Sequence, residues 1–317
     1  NLMSPIADDM KALDQVIRGR LNSEVVLIRT IGEYIVGAGG KRMRPALLLL
    51  VAKALGYQGN YHHTLAGVVE FIHTATLLHD DVVDESDLRR GRSTANAVFG
   101  NAASVLVGDY LYSRSFEMMV ETNSMRAMAV LSEATTVIAE GEVLQLLNVH
   151  DPDVSEDRYM QVVRYKTAKL FEAAAQVGAI LAQAEPALED AAAAFGRHLG
   201  TAFQLIDDVL DYSGDAEALG KNVGDDLREG KPTLPLIRVM QVGTPEEQQL
   251  IKSAIETGDA DFSKVAAAIA NTDAVAYTRQ VADAEIDLAL SAIHAFPDSE
   301  FKQTLVGFCT AAVQRDH

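Results

Sequence analysis

Two short stretches of this sequence concentrate carboxylates at a fixed spacing. Asp80-Asp81-Val82-Val83-Asp84 closes one apolar run and Asp207-Asp208-Val209-Leu210-Asp211 closes another, so Asp-Asp-x-x-Asp occurs twice. On a helix, residues four apart share a face and residues three apart are neighbours, so each copy sets three carboxylates at one rim of its helix. Like charges so close repel and call for a cation. Oxygen donors without His or Cys at matching spacing select a hard divalent ion, Mg²⁺ first. A solvated acidic face is the competing explanation. With 25 Asp in 317 residues, chance supplies roughly 0.15 such matches per chain, so it accounts for one copy more easily than for two.

The cations gather beside these motifs. Gly39-Gly40-Lys41-Arg42-Met43-Arg44-Pro45 sets three of them next to two glycines, and Arg89-Arg90-Gly91-Arg92 begins five residues after Asp84. Lys166-Thr167 and Lys169 come next, then Lys221, Arg228 and Lys231 in a Gly-rich stretch. Taken singly, each cluster reads as surface ion pairing. Beside paired carboxylates the reading changes, because Mg²⁺ is typically held by one or two carboxylates plus substrate phosphates. Arg forks grip phosphate oxygens bidentately and Lys acts as a point charge. The ligand so described is a phosphate-bearing polyanion bridged by metal.

Helices must carry these groups. Apolar residues recur at three and four along Val68, Val69, Ile72, Ala75, Thr76 and Leu77, and again along Phe195, Leu199, Ala202, Phe203, Ile206, Val209 and Leu210. No alternating run is bounded by hairpin turns, which argues against a sheet. Helix stops fall at Gly59-Asn60, at His150-Asp151-Pro152-Asp153, at Pro186, at Gly243 and at Pro297, and Thr244-Pro245-Glu246-Glu247 has the form of a capping box. Gly214 to Pro232 resists a helix assignment, and a loop this long in a helical domain is usually functional or disordered. The expectation is one all-α domain over residues 1–317, of about ten to fourteen helices at ~12 residues each. His62-His63 are expected at the surface, and Met118, Met119 and Phe116 in the core.

Composition excludes much else. The chain is 48% apolar and carries 27 Lys plus Arg against 45 Asp plus Glu, a formal charge of −18. That charge disfavours nucleic acid and anionic lipid as partners. The longest apolar stretches, such as Ala46 to Ala52, fall short of the roughly 20 residues of a membrane span. Neither a signal peptide nor stable membrane insertion is expected. A lone cysteine, Cys309, cannot form an internal disulfide, and a reducing cytoplasm is the expected setting.

The ordered set of motifs resembles the trans-isoprenyl diphosphate synthases: GGKRxRP, DDxxD followed by RRG, then a second DDxxD followed by GKxxGDDxxEGKPTLP. The match spans about residues 25 to 240. Through FIHTATLLHDDVVDESDLRRG, NAASVLVGDYLYSRSF, VIAEGEVLQL and LGTAFQLIDDVLDY it is most similar to the octaprenyl-forming branch of bacterial quinone (ubiquinone) biosynthesis. The resemblance implies helices around a deep central cavity, a homodimer, three Mg²⁺ ions per active site, and head-to-tail condensation of isopentenyl diphosphate onto an allylic diphosphate such as farnesyl diphosphate. It assigns Asp80, Asp84 and Asp207 as direct Mg²⁺ ligands, with Asp81, Asp208 and Asp211 in support. Arg89, Lys166, Lys221 and Lys231 would hold the allylic diphosphate. Lys41, Arg44, His73 and Arg90 would hold that of isopentenyl diphosphate. Thr167 and Gln204 would face the reacting carbons. By pattern alone His73 reads more readily as a satisfied core histidine, a reading that the resemblance reverses, and Asp225-Asp226 as residues that order the loop or bind metal through water.

Product length follows from Ala75 and Thr76, five and four residues before Asp80, about 6 to 8 Å below the metal rim at ~1.5 Å per residue. Shorter-chain members of the family place an aromatic plug there. Small residues imply an open tunnel and a product of about C40, its floor set by Met119 and Leu131. A shorter-chain synthase and a metal-dependent phosphohydrolase of the His-Asp type are the enzyme alternatives. The second of these needs neither the second Asp motif nor Arg-Arg-Gly. A terpene cyclase usually carries Asn and Ser in its second metal motif, and a non-catalytic subunit commonly loses the aspartates.

Overall fold

A computed structural model describes residues 1–37, 40–213 and 224–315 of the chain. The helices run in order α1 (Ala7–Arg20), α2 (Val26–Gly37), α3 (Met43–Ala54), α4 (Tyr61–Val83), α5 (Ala95–Phe99), α6 (Asn101–Val120), α7 (Met125–Asn148), α8 (Glu156–Val162), α9 (Lys169–Leu181), α10 (Pro186–Ser213), α11 (Asp225–Arg228), α12 (Leu234–Val242), α13 (Pro245–Thr257), α14 (Phe262–Asn271), α15 (Ala274–Ala292) and α16 (Glu300–Gln314). These exceed the expected number because short capping helices such as α5 and α11 count too. Among the described residues, the strands are one two-residue pair, β1 (Leu88–Arg89) and β2 (Arg92–Ser93). A pair this short leaves the all-α expectation standing. The expected loop from Gly214 to Pro232 is described only from Gly224, and α11 lies within it.

Two compact units divide the chain. The first comprises Asn1–Thr135, Leu170–Gly196 and Ala292–Phe308. Its centre is α4, which packs on α6, α3 and α1. On α4 the side chains of Leu65, Ala66, Val68, Val69, Phe71, Ile72, Ala75 and Leu78 are buried, and α3 is buried without a break from Pro45 to Ala52. Each buried Leu, Ile or Val contributes about 1.5–3 kcal/mol. The longest apolar stretch in the sequence is thus a core helix. Met118 and Met119 lie in this core as expected, whereas Phe116 is 39% exposed. Phe116 lies two residues from Met118, about 200° round α6, which carries it to the outer face.

His62 also departs from expectation, with 1% of its surface exposed. At the start of α4, His62 Nε2 lies 3.0 Å and His63 Nε2 2.7 Å from Asp9 Oδ1 on α1, so one carboxylate ties the two helices. Burial first, then the positive field of His63, lowers the pKa of His62 from 6.5 to about 4. A folded-state pKa below the unfolded one disfavours the protonated ring in the native state. This stabilisation is therefore full above pH 6.5 and is lost as pH falls from 6.5 towards about 4. Acidification across that window is expected to cost the native protein about 3 kcal/mol. Melting curves should show a drop in Tm between pH 6.5 and 4 that is smaller in His62→Asn, measured against each protein's own value at pH 7.5.

The second unit comprises Thr136–Lys169, Arg197–Ser291 and Cys309–His317. Leu227, Leu236, Val239, Ile251, Ala254, Ile255, Val265, Ala268, Ile269 and Ala274 form a cluster that includes Tyr212. Tyr212 stacks on Phe262 at 6.2 Å between ring centroids. The end of α10 that carries the second Asp motif is thereby anchored in a packed core. The capping box at Thr244 is present, with Glu247 N–H donating to Thr244 Oγ1 at 3.2 Å and Thr244 N–H to Glu247 Oε1 at 2.9 Å. Pro186, expected as a stop, opens α10 as its first residue, where a missing N–H costs nothing.

Candidate active site

In the first unit, α4 delivers Asp80, Asp81 and Asp84 at its last turn, and the three carboxylates differ. Asp81 is buried and is gripped by Arg89, whose Nε donates to Oδ2 at 2.9 Å and Nη2 to Oδ1 at 2.6 Å. The Asp81 carbonyl accepts from Ser86 N–H at 2.9 Å and from Asn96 Nδ2 at 3.3 Å, so the chain beyond the helix is pinned to it. Asp80 and Asp84 are partly exposed and four residues apart, on a common face.

The strand pair places the next cations. With Leu88 opposite Ser93 and Arg89 opposite Arg92, its loop is Arg90-Gly91, and both residues have positive φ, 54° and 71°. This is a type I′ geometry, which suits glycine and strains arginine. Strain of this kind is held where the surroundings impose it, and Arg90 ends up with its guanidinium facing Gly40. Arg44 Nη1 lies 3.4 Å from His73 Nε2, and its guanidinium sits 4.5 Å over the Phe171 ring. Burial, and then Arg44, Arg89 and Arg90, hold the His73 pKa well below the usual histidine value. His73 is therefore a neutral ring among guanidiniums and no solitary core histidine. Lys41 is exposed ahead of α3. Ala75, Met119 and Leu131 are all wholly buried, and Thr76 donates its hydroxyl to the His73 carbonyl at 2.5 Å.

The second unit shows the same division of labour at the end of α10. Asp208 and Asp211 are buried, whereas the Asp207 side chain is 40% exposed. Tyr159 donates its hydroxyl to Asp208 Oδ2, and Gln204 Nε2 donates to Asp208 Oδ1 at 2.9 Å and to Asp207 Oδ2 at 3.3 Å. Thr167 Oγ1 donates to Gln204 Oε1 at 3.0 Å. Burial, then the neighbouring charges of Asp226 and Asp207, hold the Asp208 pKa far above the usual carboxylate range. Asp211 accepts from Gly224 N–H at its carbonyl (3.0 Å) and from Asp226 N–H at Oδ2 (3.3 Å). Asp226 thus orders the described part of the loop through its backbone. Lys231 meets Glu229 at 3.0 Å, and Lys221 lies outside the described residues.

Lys166 and Thr167 stand in a wide π-helical turn, Val163–Ala168, between α8 and α9. Such turns are uncommon and concentrate at functional sites. Gly141 of α7 makes the turn possible, since a Cβ there would lie 2.6 Å from Lys166 N and 2.9 Å from Tyr165 C. Lys166 Nζ in turn reaches Gln145 Oε1, and Glu142 Oε2 at 3.4 Å.

The site also holds residues that motif reading did not find. Tyr159 and Gly141 are among them, as is Arg315, whose guanidinium covers the Phe203 ring at 3.9 Å and lies 3.9 Å from Asp207 Oδ1. In the first unit Glu70 is another, beside Arg42 of the basic motif. Their partners are distant in sequence, and only the basic motif around Arg42 carried any signal.

An all-α chain whose helix ends present paired aspartate motifs, each with inner carboxylates held by protein donors, defines the class of isoprenoid synthase-like folds. Residues 25–272 match the Polyprenyl synthetase family, and the chain belongs to that family. It is 56% identical over 312 residues to octaprenyl diphosphate synthase of Escherichia coli K12, covering 98% of this chain and 97% of that one. It is 46% identical to the geranyl-diphosphate-specific all-trans-nonaprenyl-diphosphate synthase of Rhodobacter capsulatus, over 99% of this chain and 97% of that one. A solved polyprenyl synthase of Caulobacter crescentus CB15, complexed with calcium and isoprenyl diphosphate, superposes with a TM-score of 0.97 at 44% identity, covering 100% of this chain and 97% of that one.

Proposed function

We propose that this protein is a long-chain trans-polyprenyl diphosphate synthase, adding isopentenyl diphosphate head to tail onto an allylic diphosphate to give a product of about C40 for quinone side chains. One observation supports it above others: in both Asp motifs the inner carboxylates are fixed by Arg89, Tyr159 and Gln204, while Asp80, Asp84 and Asp207 keep exposed surface. Carboxylate oxygens that keep exposed surface fit Mg²⁺, a hard cation that takes oxygen ligands. Asp80, Asp84 and Asp207 would hold it, in a set we take to be three ions, and it would supply positive charge to the departing diphosphate.

The chain's own residues do the rest. Arg89, Lys166, Lys221 and Lys231 bind the allylic diphosphate, and Lys41, Arg44, His73 and Arg90 bind that of isopentenyl diphosphate. When the allylic C–O bond breaks, negative charge collects on the diphosphate leaving group, where pre-placed cations stabilise it. The isopentenyl double bond then attacks the allylic cation, and the adduct loses a proton to the released diphosphate. Thr167 and Gln204, joined by a hydrogen bond, face the reacting carbons, and the site excludes water from the cation.

Residues 1–317 are read as one catalytic domain that acts as a homodimer. Leu106, Phe116 and Val120 on α6, and Val143, Leu146 and Leu147 on α7, are exposed apolar side chains of the kind a partner copy covers. Among the described residues no helix is long and apolar enough to cross a membrane. We assign the enzyme to the cytoplasm, in keeping with its buried lone cysteine.

The test is mass spectrometry of products formed from Mg²⁺, excess isopentenyl diphosphate and either geranyl or farnesyl diphosphate. A dominant C40 polyprenyl diphosphate from either primer is the expected result, and the ratio of rates ranks the primers. A dominant C20 or shorter product overturns the chain length. Recovery of primer, intact or merely dephosphorylated, overturns the activity.

A further inference from the structure

Glu70 is a carboxylate in a place where simple electrostatics disfavours one. It sits on α4 one turn before His73, with only 14% of its side chain exposed. Arg42 Nε lies 3.7 Å from its Oε2; burial raises the Glu70 pKa, and the positive charges of Arg42, Arg44 and Arg90 act against that rise. Each of these arginines is placed in its own way. Arg42 stands ahead of α3 with φ of 52°, and besides its ion pair with Glu70 it donates a hydrogen bond from Nη1 to Asp14 Oδ1 at 2.9 Å. Arg44 meets His73, and Arg90 is held in the strained β1–β2 turn. Glu70 is thus the buried anion common to arginines from two different loops, and Arg42 is its direct partner.

We propose that Glu70 is the positioning residue of the isopentenyl diphosphate cradle, holding Arg42, Arg44 and Arg90 in the arrangement that receives the diphosphate. This rests on the reading that Lys41, Arg44, His73 and Arg90 form that cradle. Guanidiniums brought close together repel one another and would spread without a counter-charge among them. A largely buried carboxylate paired with Arg42 and within reach of the charges of Arg44 and Arg90 holds them together before the ligand arrives, and preorganisation of this kind raises affinity by removing the ordering cost. Arg42 carries the link on to Asp14 of α1, so the loop bearing Lys41 is tethered from both sides. No part of this requires Glu70 to touch substrate.

Positioning and bare charge predict opposite signs. If Glu70 were only a negative charge near an anion site, Glu70→Gln would remove repulsion and lower the KM for isopentenyl diphosphate. As a positioning residue, its loss should raise that KM by about 10- to 100-fold. The kcat, the KM for the allylic diphosphate and the Mg²⁺ concentration for half-maximal rate should each stay within about twofold. Glu70→Asp, which keeps the charge on a shorter stem, should fall between wild type and Glu70→Gln, and Arg42→Gln should raise the same KM. These steady-state measurements are made beside Arg44→Ala. If Arg44→Ala raises the isopentenyl diphosphate KM while Glu70→Gln leaves it unchanged or lowers it, the positioning role is overturned and the cradle stands. If Arg44→Ala itself leaves that KM unchanged, the cradle reading is overturned. Should Glu70→Gln fail to fold, Glu70→Asp and Arg42→Gln decide the matter, and wild-type KM in both overturns the proposal.

Discussion

Asp80→Ala and Asp207→Ala are each expected to cut elongation by at least about 10³-fold, with the folded protein intact. The size of the effect follows from what the reaction must stabilise. An allylic diphosphate ionises only where charge on the leaving group is met by fixed positive charge, and the partly exposed carboxylates are the groups placed to recruit it. Removing one also relieves repulsion within its own motif, since each lies beside two further aspartates. Tm should therefore stay level or rise. The inner carboxylates behave differently. Asp81→Ala leaves the Arg89 fork without its partner, and Asp208→Ala strips the acceptor from Tyr159 and Gln204. Both of those variants should lose stability together with activity. Rates read by incorporation of labelled isopentenyl diphosphate, beside thermal melts, separate the two classes. Wild-type elongation by Asp80→Ala or Asp207→Ala would remove the metal role assigned to these rims.

The division between outer and inner carboxylates was only half legible in the sequence. Spacing alone places three Asp residues on one rim, because helix geometry fixes which positions share a face. Which of them turns inward depends on partners outside the motif: Tyr159 is 49 residues from Asp208, and Arg89 is 8 from Asp81. No local pattern announces such pairs. The helices themselves were readable from periodicity, and the capping box from four residues. The Arg90-Gly91 turn was not, since a type I′ loop is announced by Asn-Gly or Asp-Gly and here an arginine takes the strained position. His62 failed for a related reason. A polar residue at a helix start reads as exposed until a half-buried carboxylate, Asp9 on another helix, is known to receive it. Phe116 failed in the other direction, since an aromatic beside two core methionines lies on the outer face once the phase of α6 is known.

Ala75→Tyr is expected to shorten the product from about C40 to about C20 or less while leaving the first condensation near its normal rate. Ala75 is wholly buried on α4, five residues before Asp80, about 7 to 8 Å along the helix from the metal rim. A growing chain whose diphosphate is held at the rim reaches that depth within its first few isoprene units. Two physical outcomes compete at such a position. If Ala75 packs against other side chains, a tyrosine has no room, and overpacking costs about 1–3 kcal/mol with no change in product length. If it borders the space that the prenyl chain enters, the ring takes up that space, folding is little affected and elongation stops early. Product mass and Tm measured on the same variant tell these apart. Met119 and Leu131 are wholly buried as well, on α6 and α7, and give the comparison. Truncating either to alanine should lengthen the product by one or more units if it closes the tunnel, and should only destabilise the protein if it is ordinary core. A full-length product from Ala75→Tyr, with a lowered Tm, would place the tunnel elsewhere.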